Sequence, residues 1–311
     1  MFATKMFDSR KVYNDGQGVS VTGAKDSASV MQIAGLNYNV IKTGIMTVDG
    51  IPIPDKFATL RDDNNAVLGV VGKQYTIVQN AESFAFTDDL VGMGLQYETA
   101  GYFGDGEKVW MEGILPGEYQ FLGDNVTPYV VFMNTHDGTG SVKVALTPVR
   151  VICSNTLNMA IRGAKRCFSF VHKGSIAARM DEARQVLGLA ETYMAALNKE
   201  MEKLALVKIS PIQFEKIVLP TLIKIDDTMS QRQVDQRMEQ RAELRFRYRE
   251  APDLQGYGNN GARVIHAVAD FVDHTEPIRA TKNWKEKRFE NQVENKNEML
   301  DAARDLILSI A

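Results

Sequence analysis

Acidic residues are missing altogether from Gly138 to Met180, although the chain as a whole is formally −3 at pH 7. The same stretch holds Lys143, Arg150, Arg162, Lys165, Arg166, Lys173 and Arg179, so the rest of the chain sums to −10. Charge segregated in this way suits a surface that meets a polyanion. Cysteine is scarce as well. Cys153 and Cys167 are the two thiols, with no CxxC pair and no Cys/His cluster, which excludes a disulfide framework and a structural zinc site. Both are expected to be reduced and packed. No apolar run approaches the ~18 residues of a membrane span, and Met1 to Gln17 lacks the apolar stretch of a signal peptide. A cytoplasmic protein with no membrane contact is therefore expected. A Walker A loop and a GxGxxG are also absent, which argues against a nucleotide-driven enzyme, and no cofactor is expected.

What is present reads as an α+β chain. Its 311 residues, 44% hydrophobic and 24% charged, suffice for one large core or two modest ones. Residues 1–60, rich in Gly, Asp, Ser and Asn, read as an extended arm with short strands. Residues 61–175 read as a mainly antiparallel β core: apolar runs at Ala66 to Val71, Gln74 to Val78, Tyr97 to Phe103, Lys108 to Leu115, Tyr129 to Met133 and Val142 to Cys153 are each bounded by Gly, Asn, Asp or Pro. One helix, Ala81 to Val91, interrupts them.

Residues 176–311 read as helical, either as a separate region or continuous with the core. From Ile176 through Met180, Ala183, Leu187, Ala190, Met194, Leu197 and Met201 to Leu204 the apolar positions recur at alternating gaps of four and three, a stripe that suits internal packing or a subunit contact. Ser210-Pro211 opens a helix that Pro220 is expected to end. Further helices are expected over Gln231 to Glu250, Gly261 to His274 and Val293 to Ile310. The first of these carries six arginines with Asp235, Glu239, Glu243 and Glu250 interspersed, as in a solvated helix laced with ion pairs.

The candidate binding residues lie in the acid-free stretch. Ser154-Asn155-Thr156 after a strand, followed by Leu157 to Ile161, reads as a capped helix whose free N–H groups, with Arg150, suit a phosphate, or simply as a helix capped by Asn155 or Ser154 with Arg150 paired to a core carboxylate. Arg162, Lys165 and Arg166 follow. In the strand from Arg166 to Lys173, Phe168, Phe170 and His172 share a face; they suit stacked bases with Lys173 at the rim, or simply core packing. His136-Asp137 reads as an acid/base pair or as the chemistry of a tight hairpin turn, the second being favoured. Asp270, Asp273 and His274 form a DxxDH pattern that lacks a further ligand for a metal.

Asn134-Thr-His-Asp-Gly138, Thr147-Pro-Val-Arg-Val-Ile-Cys-Ser-Asn-Thr-Leu157, Phe271-Val-Asp-His274 and Arg288-Phe-Glu290 together resemble the phage/plasmid-like family known as domain of unknown function 932, over about Phe57 to Ile310. The resemblance implies carriage on phages, plasmids and integrated elements, hence a bacterial host cell, and implies no catalytic residues. The expectation is a non-enzymatic nucleic-acid-binding protein, with single-stranded DNA favoured, promoting annealing as a homo-oligomer in replication or recombination. The alternatives are a host-protein interaction or anti-restriction protein and, third, a metal-dependent nuclease.

Overall fold

Side-chain alternation organises the N-terminal half. The computed structural model describes residues 18–150, 155–161, 164, 166–170, 190–277, 280–294 and 297–311; for Arg150, Asn155, Phe168, Phe170 and Glu294 the description is of the backbone alone. After β1 (Val19–Ser20) comes a helix, α1 (Ser27–Ala34), where an irregular arm was expected. Its limits are local: the Asp26 side chain accepts from Ser29 N, and Gly35 closes the helix at φ 67°, the cap geometry glycine adopts at little cost. β2 (Val40–Met46), β3 (Pro52–Arg61) and β4 (Val67–Gly72) then form a three-stranded antiparallel sheet. Strand pairing thus runs across residue 60.

The expected helix Ala81 to Val91 is two short helices, α2 (Asn80–Phe84) and α3 (Thr87–Val91). They precede the main strands: β5 (Gln96–Phe103), β6 (Lys108–Ile114), β7 (Tyr119–Phe121), β8 (Asp124–Thr135), β9 (Val142–Arg150), β10 (Asn155–Thr156) and β11 (Cys167–Phe170). These build an antiparallel sheet in the order β1-β5-β6-β8-β9-β10, with β7 on β8 and β11 on β9. The outer edge of β9 is shared, β11 lying along Val142 to Ala145 and β10 along Val149 and Arg150.

A helix over Leu157 to Ile161 does not form. Leu157 N donates to Pro148 O at 2.9 Å, which prolongs the antiparallel pairing, and Leu157 and Met159 are fully buried. Burial of alternate apolar side chains outweighs the capping signal of Ser154-Asn155-Thr156.

The C-terminal half is helical: α4 (Ala190–Leu206), a composite α5, α6 (Gln231–Glu250), α7 (Gly261–His274), α8 (Trp284–Glu294) and α9 (Glu298–Ile310). α5 runs from Pro211–Gln213 through a π-helical turn, Phe214–Val218, into Leu219–Leu222. Pro220 therefore does not end it. The wide turn, in which Leu219 N reaches Phe214 O, accommodates a proline ring that a regular turn would exclude. The expected single helix over Val293 to Ile310 is instead the end of α8 and all of α9, because the Asn297 side chain caps Leu300 N and starts a new helix.

Within α4 the apolar stripe at Met194, Leu197, Met201 and Leu204 is wholly buried among α5, α6, α7 and α9. In the described part, then, the stripe is core packing. The same core takes Phe121, Val126 and Leu146 from the sheet. The main sheet is covered on both faces: α1, α2 and α3 share a core with Tyr97, Val109, Met111 and Phe132, while Phe289 and Val293 of α8 pack on Trp110, Val131, Met133 and Ala145. Among the described residues no helix is long and apolar enough to cross a membrane.

Candidate functional site

The two candidate residues whose side chains are described, Thr156 and Arg166, turn inward. Thr156 donates through N (2.6 Å) and Oγ1 (2.9 Å) to the Asp273 carboxylate, which also accepts from Gln292 Nε2 at 2.9 Å. Asp273 is buried, and burial pushes its carboxyl up to about 6 against the pull of these donors. Arg166, 3% exposed, donates through Nη1 to Leu146 O at 2.7 Å and through Nη2 to Gln292 O at 2.6 Å. Both side chains tie the edge strands to α7 and α8. The phosphate contact expected of them is corrected accordingly: their donors are spent on buried protein acceptors, and the helix N-terminus that was to complete the site is absent. Arg150, Asn155, Phe168 and Phe170 are placed by backbone only, with Arg150 opposite Asn155 and the two phenylalanines opposite Val144 and Val142. Arg162, Lys165, His172 and Lys173 lie outside the described residues.

The other acid/base candidates have structural partners. His136 is fully buried, its Nε2 donating to Asn80 Oδ1 at 2.8 Å, while its carbonyl accepts from Thr59 Oγ1 at 2.7 Å. Asn134 Nδ2 donates to Val78 O, and Tyr75 O–H donates to Thr135 O. Asp137 holds the turn through Thr139 N at 2.8 Å. Asp270 pairs with Arg247 at 2.8 Å, both fully buried. On α6, Arg247 also pairs with Glu243 one turn away, and Arg245 and Arg249 both reach Glu215 on α5. Three of its six arginines are thus paired with carboxylates within the fold. Among the described residues no three His, Cys, Asp or Glu side chains stand close enough to hold a metal ion.

A further cationic surface lies on α8. Trp284, Lys287, Arg288 and Asn291 follow one another at helical spacing and share a face. That face lines a cleft of about 460 Å³ whose other wall includes Val272, Thr275 and Pro277 at and after the end of α7. The Arg288 guanidinium stands 4.6 Å from the centroid of the Trp284 ring, a cation–π arrangement; burial lowers its pKa to about 10. No Asp or Glu is among the described residues lining the cleft. Two acids of the helix are held elsewhere: Glu286 and Glu290 both pair with Lys108 of β6, at 3.0 and 2.9 Å.

The inner side of α8 meets the acid-free stretch directly. Gln292 O accepts from Arg166 and from Asn158 Nδ2, the latter at 3.2 Å, and Gln292 also lines the cleft. Sequence reasoning missed this face because it began the last helix at Val293. The signal was available: between Lys282 and Asn291, Glu286 and Glu290 are four apart, while the tryptophan and the cations Lys287 and Arg288 lie on another helical face.

A family model described as a domain of unknown function (DUF932) matches residues 67–294. No curated protein and no solved structure matches the chain.

Proposed function

We propose, for a chain that belongs to the DUF932 family, a non-enzymatic nucleic-acid-binding protein whose preferred ligand is single-stranded DNA. One observation carries this reading: the α8 face joins a half-buried tryptophan to two cations, while the carboxylates of the same helix are engaged by Lys108. Aromatic and basic side chains on one surface suit a single strand, whose bases stack while its phosphates are neutralised. In this reading the protein serves a phage or other mobile element, in replication or recombination, and annealing by a homo-oligomer is the form of activity to look for.

Titration of a labelled oligonucleotide at two ionic strengths tests it. Binding is expected at low salt and weakens with a log–log slope of about −0.7 for each phosphate neutralised. Lys287→Ala/Arg288→Ala is expected to lower the affinity about tenfold and to make the slope shallower by about 1.4. Absence of binding at low salt, or binding indifferent to salt, would remove the reading.

A second reading, contact with a host protein, is favoured by the β2–β3 hairpin, whose tip exposes Met46, Val48 and Ile51. It requires capture of a protein partner by a chain that fails the oligonucleotide test, and loss of that capture in Val48→Asp.

A further inference from the structure

We propose that the outer face of the three-stranded sheet β2-β3-β4 is a two-fold contact between two copies of this chain. It goes beyond the nucleic-acid reading and stands without it. Thr59 of β3 donates to His136 O at 2.7 Å, and Gly69 of β4 lies against the Asp137 backbone, so the inner face of the sheet is turned to the β8–β9 connection. Alternation puts two rows on the other face: Ile41, Leu60 and Val67, then Thr43, Ala58 and Val70. None of the six is charged or aromatic. Ile41, Val67 and Val70 are 46, 58 and 56% exposed, whereas on the central strand Leu60 is half-buried and Ala58 buried.

The relief of this face matches itself. β2 and β4 raise ridges on either side of a trough along β3, where the small Ala58 side chain leaves room. Under a two-fold axis the Val67 and Val70 ridge of each copy enters the trough of the other, an isologous arrangement in which every contact occurs twice; sheets stacked face to face bury such side chains between them. Charge does not oppose it. Lys42, the cation of the edge strand β2, is folded to the inner side: its Nζ donates to Lys73 O at 2.8 Å and to Tyr75 O at 3.0 Å, 4.6 Å from the centroid of the Phe57 ring. Charged side chains, lysine above all, ordinarily guard an open edge against other sheets, and here that guard is withdrawn. Area points to the same partner. With Met46, Val48 and Ile51, exposed at the β2–β3 turn, the face offers about 700 Å² of largely apolar surface, more than the patch of an ordinary monomer and close to the ~800 Å² that one partner gives to a stable interface. Contacts between identical chains are more apolar and poorer in charge than contacts between different proteins, which lean on tryptophan, tyrosine and arginine anchors. These rows hold none of the three.

Sedimentation velocity of the full chain, without nucleic acid and over a hundredfold range of concentration, is the test. The unaltered protein is expected to approach twice the chain mass at the upper end of the range. Val70→Arg, which sets a charge on the ridge with nothing in the other copy to offset it, is expected to weaken the dimer about a hundredfold. Val70→Thr keeps the β-branched shape and the strand, and is expected to weaken it about tenfold by burying a hydroxyl twice. Ile33→Arg, on the exposed side of α1, is expected to leave the mass unchanged. Far-UV circular dichroism establishes that each variant is folded, with Val70→Thr deciding should Val70→Arg not fold. A monomer throughout the range would overturn the contact and leave the face to a different protein. A folded Val70 variant that associates as tightly as the unaltered chain would overturn it too, as would a dimer that Ile33→Arg disrupts equally. Oligonucleotide binding enters none of these outcomes, so failure of the nucleic-acid reading and failure of the contact are read separately.

Discussion

Asp273 concentrates most of what holds the edge of the main sheet to the helices. Its carboxylate receives Thr156 N, Thr156 Oγ1 and Gln292 Nε2, so one side chain of α7 fastens both β10 and α8. Its cost is the burial of a charge. Burial raises the folded-state pKa to about 6 from an ordinary 3.8, so between about pH 4 and pH 6 the folded state holds more protons than the unfolded one. The stability contributed by this group therefore falls as pH rises through that window and is lowest above it. Asp273→Asn is expected to flatten the dependence of Tm on pH between 4 and 6 relative to the unaltered protein. Parallel profiles for the two would show that the carboxyl does not titrate as argued. The same residue stood out in the sequence as part of a DxxDH pattern, but a pattern of titratable groups does not reveal whether its partners are a metal or, as here, backbone and amide donors.

At the scale of elements, α8 is the most informative. Its three faces do different things: Phe289 and Val293 pack on Trp110 and its neighbours, Glu286 and Glu290 engage Lys108, and Trp284, Lys287, Arg288 and Asn291 face the cleft. Lys108 is therefore both an anchor and an electrostatic shield, since it neutralises carboxylates that would otherwise repel phosphate near the cleft. Lys108→Met is expected to destabilise the fold by about 2 kcal/mol, because it strands two half-buried carboxylates, and to weaken oligonucleotide binding without touching the cleft. Chemical denaturation and the oligonucleotide titration check the two effects separately. The strands of the main sheet were legible in the sequence, since short apolar runs such as Val109 to Met111 and Val130 to Met133, bounded by turn residues, are a local signal. The short helix after Thr156 was misread for the opposite reason: its capping signal is local, whereas the burial of Leu157 and Met159 that overrides it depends on helices distant in the chain.

In the whole molecule, the segments that resemble the family turn out to be joints. Asn134, Thr135 and His136 bind Val78, Tyr75, Asn80 and Thr59, which fixes the three-stranded sheet against the end of the main one. The approach is close. A Cβ at Gly69 would stand 2.6 Å from the Asp137 backbone, so Gly69→Ala is expected to cost about 1–3 kcal/mol by forcing the two sheets apart, measured as a lower midpoint in urea at an unchanged slope. An unchanged midpoint would mean that this contact yields freely. The second joint, Thr156 with Asp273, brings two further of these segments together and links the sheet to the helices.

Composition and periodicity determined by themselves the α+β class, the order of strands before helices and the segregation of charge, and four short motifs carried the resemblance to the family, because each depends on residues near one another in the chain. Which charges face outward was decided only by the tertiary structure. Arg166, inside the acid-free stretch, is drawn into the core by the carbonyls of Leu146 and Gln292, and Arg245, Arg247 and Arg249 of α6 find carboxylates on α5, α6 and α7. Lys287 and Arg288 instead line a cleft, while Lys108, far away in sequence, holds Glu286 and Glu290 of their own helix. A net charge can be read along the chain; its availability depends on which opposite charges and carbonyls folding brings within about 3 Å.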